Sequence, residues 1–446
     1  MQMHITPPAP VLTALSRLTA AGHSAYIVGG CVRDALRGCA PHDWDVTASA
    51  RPEQIKACFP DHHVIETGMQ HGTVTVVIEK MPIEITTYRI DGTYADHRRP
   101  DSVTFTDRLE DDLSRRDFTV NAMAYHPERG LIDCFHGRED LAAGVIRCVG
   151  DASARFDEDG LRILRAMRFA SVLDFNVAPE TAAAIHNQKE LLHAISAERI
   201  YAELTKLLCG VGAERVLTEF SDVLFTVLPE LAPMLHFDQH NKHHDYDVYT
   251  HTLKAVAAIP PEPVLRWAAL LHDTGKPHTF TEDERGGHFY GHAAVSVEIA
   301  ERSLRSLKPE KKTLERVMLL VDKHDFVFNG TEKQMKKLVR QIGSEAAMQL
   351  LLLHKADVTA QAEYHRAKRI EESDLLIALL EKLVAEDACM TVKQLAVRGE
   401  DLIAAGIPRG KQIGVMLEAL LDAVTEGKTE NTREALLAEL DALRNA

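Results

Sequence analysis

Asp43 and Asp45 are the residues of this sequence with the clearest potential for chemistry. They stand one residue apart, and Trp44, Val46 and Thr47 around them predict a β-strand. Because successive side chains of a strand alternate between its two faces, both carboxylates point the same way and can hold divalent cations between them. Two such cations could activate a hydroxyl group and stabilise a pyrophosphate leaving group.

A third carboxylate is available on a second predicted strand. Glu84 stands between Ile83 and Ile85, so this strand can bring it to the site of the two aspartates. An exposed position on one face of the sheet is the alternative interpretation of Glu84.

Two glycines upstream of the aspartates suit the binding of phosphate. Gly29 and Gly30 follow the apolar segment 26–28 and precede Arg33. A strand that ends in two glycines and opens into a helix lets backbone N–H groups approach phosphate oxygens, and Arg33 adds a cation. A Gly-Gly pair or an Asp-x-Asp pair alone is usually an ordinary turn or loop end. The predicted triphosphate site therefore depends on their occurrence together.

A second group of polar residues, rich in histidine, lies far along the chain. His272 and Asp273 are adjacent at the end of a predicted helix, where their side chains are about 100° apart and can ligate one ion if a loop follows. Gly275 supplies that break. The other candidate ligands come from separate predicted helices and are His251, His292, His324 and Asp357. His288 is a candidate for contact with a substrate instead of a metal.

Elements of two kinds must position these groups. Before residue 145, short β-rich runs alternate with Gly, Pro and Asp and predict one mixed α/β module, whereas helical periodicity after it predicts an all-α remainder. The predicted strands cover residues 26–28, 44–47, 73–78 and 83–88. The predicted helices cover residues 159–169, 197–208, 264–272, 293–307, 346–357 and 416–424.

Composition limits the classes of protein to which the chain can belong. The 446 residues suffice for two to four modules, and no apolar run approaches the roughly 20 residues of a membrane span, so we expect a cytoplasmic protein without a membrane partner. The net charge of −15 excludes nucleic-acid binding by bulk attraction, although arginines cluster locally in the first 170 residues. Seven scattered cysteines without a CxxC pair predict reduced thiols.

The order of residues 29–34 and 43–45 resembles the head of class II tRNA nucleotidyltransferases (CCA-adding enzymes) and bacterial poly(A) polymerases. Residues 115–122 resemble the second motif of that family, which implies that Arg116, Asp117 and Asn121 bind the ribose and build the site. A carboxylate paired with arginine can accept a ribose hydroxyl and so favour ribonucleotides. The resemblance implies addition of C, C and A to the tRNA 3′ end from CTP and ATP without a nucleic-acid template, with Mg²⁺ at the head.

A downstream segment resembles the motif with which this family selects the nucleotide. Asp159 and Arg162 are three residues apart on a predicted helix and therefore share a face, so an acceptor and a donor can together imitate the edge of a base pair. Arg165 and Arg168 follow at the same spacing. An intrahelical ion pair is the alternative interpretation of Asp159 and Arg162.

Residues 90–100 resemble the loop that the family needs to add the terminal A. Members that add only CC lack this loop, so its presence argues against a CC-only enzyme. An enzyme that adds only A, or a poly(A) polymerase, remains the alternative.

The histidine-rich group resembles an HD-type phosphohydrolase domain, in which imidazoles and carboxylates hold one or two transition-metal ions over a phosphoester. Because the chain has 23 histidines and His-Asp also occurs at 244–245 and 324–325, a structural remnant without turnover is the alternative. The resemblance implies phosphodiesterase or phosphatase action, for instance on RNA ends that carry a 2′,3′-cyclic phosphate. A protein that is chiefly such a hydrolase is a further alternative.

The expected architecture is therefore α+β and has four parts. A mixed α/β nucleotidyltransferase head of the DNA polymerase beta type covers residues 1–145, and a helical neck for nucleotide selection covers 146–230. An HD-type helical domain covers 231–365, and a helical tail for tRNA binding covers 366–446. In the tail, Arg409 and Lys411 stand beside glycines before a predicted helix, which suits contact with phosphate. The sequence does not indicate the oligomeric state.

Overall fold

The computed structural model describes residues 5–92, 102–240, 245–284, 286–386, 391–425 and 427–445. It contains two compact units, Met1–Ala232 and Pro233–Ala446. A mixed α/β sheet is followed by a mostly helical region, so the α+β fold class is confirmed. Most of the loop predicted at residues 90–100 lies outside the described residues.

The strands of the first unit carry its candidate carboxylates. They are β1 (Ala25–Val28), β2 (Asp45–Ala48), β3 (His63–Ile65), β4 (Thr73–Ile78), β5 (Met81–Thr87), β6 (Arg89–Asp91), β7 (Val103–Phe105), β8 (Met123–His126), β9 (Gly130–Asp133), β10 (Val145–Ile146) and β11 (Asn176–Val177).

Seven of these strands form one sheet in the order β3-β4-β5-β2-β1-β8-β9, and two-stranded pairs join β6 with β7 and β10 with β11. Within the large sheet, β2 and β5 are parallel and the other neighbours are antiparallel. The side chains of Val74, Val76 and Ile78 on β4 alternate with half-buried residues and enter the core on one face of the sheet.

The helices of the first unit cover the sheet and continue beyond it. They are α1 (Ala9–Ala20), α2 (Gly30–Leu36), α3 (Pro52–Cys58), α4 (Leu109–Ser114), α5 (Gly137–Ala143), α6 (Ala152–Glu158), α7 (Leu161–Leu173), α8 (Pro179–Gln188), α9 (Ala197–Leu208), α10 (Ala213–Glu219) and α11 (Ser221–Val227).

Helix α7 carries three of the predicted nucleotide-binding arginines. Its apolar residues, including Ile163, Leu164 and Met167, are buried, so the helix is anchored by the hydrophobic effect. This anchoring fixes the directions in which the arginines leave the helix.

The second unit is built mainly from helices. They are α12 (Val248–Ala258), α13 (Pro263–Leu271), α14 (Lys276–Thr279), α15 (His292–Leu307), α16 (Lys311–Lys323), α17 (Glu332–Ile342), α18 (Ser344–Thr359), α19 (Glu363–Ala385), α20 (Gly399–Ala404), α21 (Lys411–Thr425) and α22 (Arg433–Asn445).

The prediction that everything after residue 145 is helical was wrong in two places. The short strands β10 and β11 pair in the first unit, and a hairpin of β12 (Thr281–Asp283) and β13 (Gly286–His288) interrupts the helices of the second. All three residues of β12 are exposed, so the hairpin has no apolar alternation by which its sequence could reveal it.

The described part of the chain contains no helix that is both long enough and apolar enough to cross a membrane.

Candidate functional site

The turn between β1 and α2 has a backbone conformation that favours glycine. Gly29 has φ +85°, and a Cβ atom on it would lie 3.2 Å from Nη1 of Arg116. The absence of a side chain therefore lets the guanidinium of Arg116 approach the backbone of the predicted phosphate-binding turn.

The sheet places two of the predicted carboxylates, Asp45 and the exposed Glu84, side by side, although among the described residues these two and Asp43 do not form a group of three within 4.8 Å. Asp45 is the first residue of β2 and lies in register with Glu84 on the parallel strand β5, while Asp43 precedes β2 by two residues. Burial raises the pKa of Asp45 to about 6, and the negative charges of Glu84 and Asp43 add to this rise, which Arg116 opposes. Three carboxylates that repel one another in this way suit the binding of a divalent cation.

A buried aspartate that the sequence prediction missed holds the two neighbouring arginines. Asp112 on α4 is fully buried and accepts hydrogen bonds from Arg115 at 2.7 Å and from Thr47 at 3.0 Å, and it accepts a longer one from Arg116 at 3.4 Å. Thr47 lies on the same strand as Asp45. The spacing of Asp112 from Arg115, one helical turn, was the available signal.

Asp117, Asn121, Arg33 and Arg165 form one chain of hydrogen bonds. Asp117 accepts from Asn121 at 3.2 Å and from Arg165 at 2.5 Å, and Asn121 in turn accepts from Arg33 at 2.7 Å. Burial opposes the charge of Asp117, but Arg165 and Asn121 outweigh it and lower the pKa of Asp117 to about 2. The structure thus joins predicted site residues from three segments of the sequence, which are Arg33, the pair Asp117 and Asn121, and Arg165 on α7.

Three arginines lie close to the aromatic ring of Phe169. The guanidinium carbons of Arg33, Arg165 and Arg168 lie 5.2, 5.6 and 3.9 Å from its centre. Arg168 also pairs with the buried Glu203 on α9 at 2.6 Å, a partner that the sequence prediction did not include.

The prediction that Asp159 and Arg162 share one helix face was wrong. Helix α6 ends at Glu158, Asp159 is extended with φ −142°, and α7 begins only at Leu161. The break occurs at Asp159, and the next residue, Gly160, has helical angles and packs closely against Leu191. As a consequence, the two side chains belong to different elements.

Asp159 and Arg162 each have other partners in this structure. Asp159 accepts a hydrogen bond from Arg199 at 3.0 Å, and Arg162 donates to Glu158 at 2.5 Å and to the carbonyl oxygen of Arg115 at 3.1 Å. Arg199 therefore belongs to the same neighbourhood, and contact of this pair with a base requires an exchange of partners.

In the second unit, all six predicted metal ligands come together around Asp273. One group of possible ligand atoms within 4.8 Å of one another joins Asp273 to His251, His272 and Asp357, and a second joins Asp273 to His292 and His324. Asp273 is shared by both groups. Its side chain therefore has one oxygen available for each of two neighbouring cation positions.

The histidines are oriented by the backbone. In His272, His292 and His324, Nδ1 lies 2.7–2.9 Å from the carbonyl oxygen of the residue three positions earlier, and Nδ1 of His251 lies 3.2 Å from the carbonyl oxygen of Ala360. A carbonyl accepts hydrogen bonds, so Nδ1 of each ring carries a proton, and Nε2 is the atom that can ligate a metal once it is deprotonated.

Without a cation, a proton carries the positive charge of the centre. Burial disfavours the charged form of His272, yet Asp273 and Asp357 outweigh burial and raise its pKa to about 10. Nε2 of His272 and Oδ2 of Asp273 lie 3.1 Å apart without an aligned hydrogen bond, and Nζ of Lys276 forms an ion pair with the same oxygen at 2.7 Å. Buried polar atoms in this position fit the binding of a metal ion.

A cavity of about 580 Å³ opens onto this centre. Its lining includes the candidate ligands Asp273, His292, His324 and Asp357. Basic and imidazole side chains also line it, namely Lys276, His288, His354 and Arg369, as do the aromatic side chains of Phe289, Tyr290, Phe326 and Phe328. Of these further residues, the sequence prediction had included only His288. His354 precedes Asp357 by one helical turn on α18, a spacing that could have revealed it.

Comparison with protein families identifies matches in three parts of the chain. Residues 25–147 match the Poly A polymerase head domain, residues 174–235 match the RNA and SrmB-binding site of polymerase A, and residues 289–440 match domain 2 of tRNA nucleotidyltransferases.

Two relatives and one solved structure are similar over nearly their full lengths. The CCA-adding enzyme of Levilactobacillus brevis is 35% identical over 96% of both chains, and that of Geobacillus kaustophilus is 35% identical over 96% of this chain and 95% of its own. The crystal structure of the Bacillus stearothermophilus CCA-adding enzyme in complex with CTP matches with a TM-score of 0.73 and 31% identity, over 99% of this chain and 98% of that one.

Proposed function

Because this chain belongs to the family of CCA-adding enzymes, we propose that its first unit adds C, C and A to the 3′ end of tRNA from CTP and ATP. The pairing of Asp45 with Glu84 across parallel strands, beside Asp43, is the observation that carries this proposal. Binding alone has no need of carboxylates that repel both one another and phosphate.

The reaction joins the 3′ oxygen of the tRNA to the α-phosphorus of the nucleotide. The bond from that phosphorus to the bridging oxygen breaks, pyrophosphate leaves, and the proton of the 3′ hydroxyl is lost. Asp43 and Asp45, supported by Glu84, would hold Mg²⁺, which supplies positive charge beside the attacking hydroxyl and the leaving pyrophosphate. Gly29, Gly30 and Arg33 would receive the phosphate chain.

Nucleotide selection is assigned to the residues on and beside α7. Asp117, which Asn121 and Arg165 hold ionised, would accept a ribose hydroxyl, with Arg116 beside the phosphate turn. Asp159 and Arg162 would pair with the base after releasing Arg199 and Glu158, and Arg168 would support the pocket through Glu203.

The direct test offers the purified protein three tRNA transcripts that end before the first C, after CC and after CCA. With Mg²⁺, CTP and ATP we expect addition of C, C and A followed by a stop, and no extension by the Asp43→Asn or Asp45→Asn variants. Growth only from the CC end would identify an A-adding enzyme, and a long A tract would identify a poly(A) polymerase. Absence of any extension would contradict the proposal.

We further propose that the second unit is a metal-dependent phosphohydrolase. Support comes from the two ligand groups that share Asp273 at the base of a cavity. Four imidazoles and two carboxylates suit transition metals, which would supply a hydroxide nucleophile to a phosphoester. RNA ends that carry a 2′,3′-cyclic phosphate are the proposed substrates.

This second activity is tested with Mn²⁺, Co²⁺ or Zn²⁺ and a ribonucleoside 2′,3′-cyclic phosphate. Hydrolysis that disappears in Asp273→Asn but persists in Asp43→Asn would support it. A protein that binds no metal at this centre, or binds metal without hydrolysis of any phosphoester, would be a structural remnant of such a domain.

The four-part division into residues 1–145, 146–230, 231–365 and 366–446 belongs to the same proposal. In the last part, Arg409 and Lys411 are exposed at the start of the 15-residue helix α21, which supports a contact with tRNA phosphates. Because tRNA is used in the cytoplasm, we place the protein there.

A further inference from the structure

An exposed aromatic ring lies at the rim of the cavity in the second unit. Tyr290 is 78% exposed, although a ring of this size is normally at least half-buried, and it lines the cavity that contains the ligands Asp273 and His292. Only Gly291 separates it from His292, so the backbone keeps the two residues within about 7 Å of each other. A single exposed ring needs no explanation, but one beside a metal centre can contact whatever binds there.

A second ring holds Tyr290 in place. The imidazole of His288 stacks on it, with ring centres 5.3 Å apart and an angle of 15° between the planes. Nε2 of His288 lies 2.9 Å from Oδ1 of Asp283 on the neighbouring strand β12, so the imidazole is itself anchored. His288 therefore covers part of one face of Tyr290, and most of the ring stays open to a ligand, since the residue is 78% exposed.

The hairpin that carries these rings has a fixed position. The N–H of Gly287 donates to the carbonyl of His240 at 2.8 Å, and a Cβ atom on Gly287 would lie only 2.4 Å from the carbonyl oxygen of Gln239. Since only glycine permits this approach, β13 packs tightly against the preceding loop. The open face of Tyr290 therefore belongs to a preorganised surface.

Two cations accompany the rings in the same cavity. Lys276 is buried, with Nζ 2.7 Å from Asp273 and 3.0 Å from Gln239, and Arg369 donates to Gln361. Both cations and the metal centre suit a phosphate group. A ligand that satisfies the whole cavity has a phosphoester at one end and a flat ring at the other, which is the composition of a ribonucleoside phosphate.

We propose that Tyr290, backed by His288, is a stacking platform that makes this cavity select phosphoesters carrying a nucleobase. Aromatic side chains stack on every base, so the platform recognises the presence of a base and not its identity. The inference rests on the proposed phosphohydrolase function and adds the residues that determine its substrate preference. Either a free nucleotide or the 3′-terminal nucleotide of an RNA provides this chemistry.

Binding is measured first, in the full-length protein loaded with Zn²⁺. The probe is 2-aminopurine riboside 3′-methylphosphonate, which resists hydrolysis and loses fluorescence when its base stacks, used free and as the last nucleotide of a short RNA. We expect quenching with the wild type and Tyr290→Phe, and a loss of affinity of about 5- to 100-fold with Tyr290→Leu. Leu375→Ala, an exposed apolar residue outside the cavity lining, is the control.

Hydrolysis is measured second, on a nucleoside 2′,3′-cyclic phosphate and on the abasic ribose 2′,3′-cyclic phosphate. Tyr290→Leu should lower the preference for the nucleoside ester over the abasic ester by the same factor as the loss of affinity. The change should come mainly from a higher KM for the nucleoside ester. Equal quenching and equal preference in wild type and Tyr290→Leu would overturn the platform. Quenching that depends on Tyr290 without hydrolysis by the wild type would reject the hydrolase and retain the platform as a nucleotide-binding surface.

Discussion

At the scale of single residues, Asp45 illustrates how a site for a cation costs stability when the cation is absent. Its pKa of about 6 lies above the usual value of 3.8, so the folded protein binds this proton more tightly than the unfolded chain does. Below about pH 4 this carboxyl does not lower the free energy of unfolding, because it is protonated in both states. Its destabilising effect grows as the pH rises from about 4 to about 6 and is fully present above about pH 6.

We therefore expect Asp45→Asn to abolish nucleotide addition and to raise the stability of the metal-free protein at pH 7.5 by about 1–3 kcal/mol. The gain should shrink toward zero at pH 4, where the wild-type carboxyl is protonated in both states. Urea unfolding of both proteins in EDTA at several pH values measures this gain in the free energy of unfolding. A variant that is less stable than wild type at pH 7.5 would contradict this assignment of Asp45.

The raised pKa of His272 stabilises the metal-free protein, which is the opposite effect to that of Asp45. Its pKa of about 10 exceeds the ordinary 6.5, so its proton stabilises the metal-free fold below about pH 6.5, and this stabilisation is lost as the pH rises through 10. A metal ion needs the neutral imidazole and must displace that proton.

Metal affinity of the second unit should consequently increase about tenfold per pH unit between pH 6.5 and 8.5, with release of at least one proton. Calorimetry with Zn²⁺ in buffers of different ionisation enthalpy counts the protons. His272→Asn should bind more weakly and with a smaller pH dependence. An affinity that does not vary with pH in the wild type would show that His272 is not a ligand.

At the scale of elements, the second ligand group depends on the close packing of α14 against α15. A Cβ atom on Gly275 would lie 2.3 Å from the carbonyl oxygen of His292 and 2.7 Å from the backbone nitrogen of Ser296. Those backbone atoms cannot yield without moving the first turn of α15, which carries His292.

We expect Gly275→Ala to destabilise the protein by at least about 2 kcal/mol and to weaken metal binding. Gly414→Ala is the matched control, because Gly414 lies inside α21 with open space around its Cα and should gain about 0.5–1 kcal/mol from helix propensity. Thermal unfolding and Zn²⁺ titration of both variants test this. Equal stability and equal Zn²⁺ affinity of the two variants would show that the close packing at Gly275 is not needed.

At the scale of the whole molecule, each candidate site is built within one compact unit. The candidate residues of the head lie in Met1–Ala232, and the six candidate metal ligands lie in Pro233–Ala446.

The two activities should accordingly be separable. Asp43→Asn should reduce CCA addition by at least about 10³-fold and leave hydrolysis within about twofold, and Asp273→Asn should do the reverse. Both reactions are followed on one RNA preparation, with circular dichroism as the check on folding. Loss of both activities in either variant would mean that one site serves both reactions.

The α+β class, four strands and six helices of the fold, and many of the residues that meet in each candidate site could be predicted from the sequence. These are consequences of local signals, such as apolar periodicity, glycines at turns and the alternation of side chains along β2. The six candidate metal ligands that the sequence predicted lie together around Asp273.

Several of the charge pairs follow only from the tertiary fold. Arg168 with Glu203 and Asp159 with Arg199 are partners from different elements, and no local pattern specifies such contacts. The same reason explains the break at Asp159, which interrupts a helical pattern, and the exposure of Tyr290, which follows from its position after the hairpin.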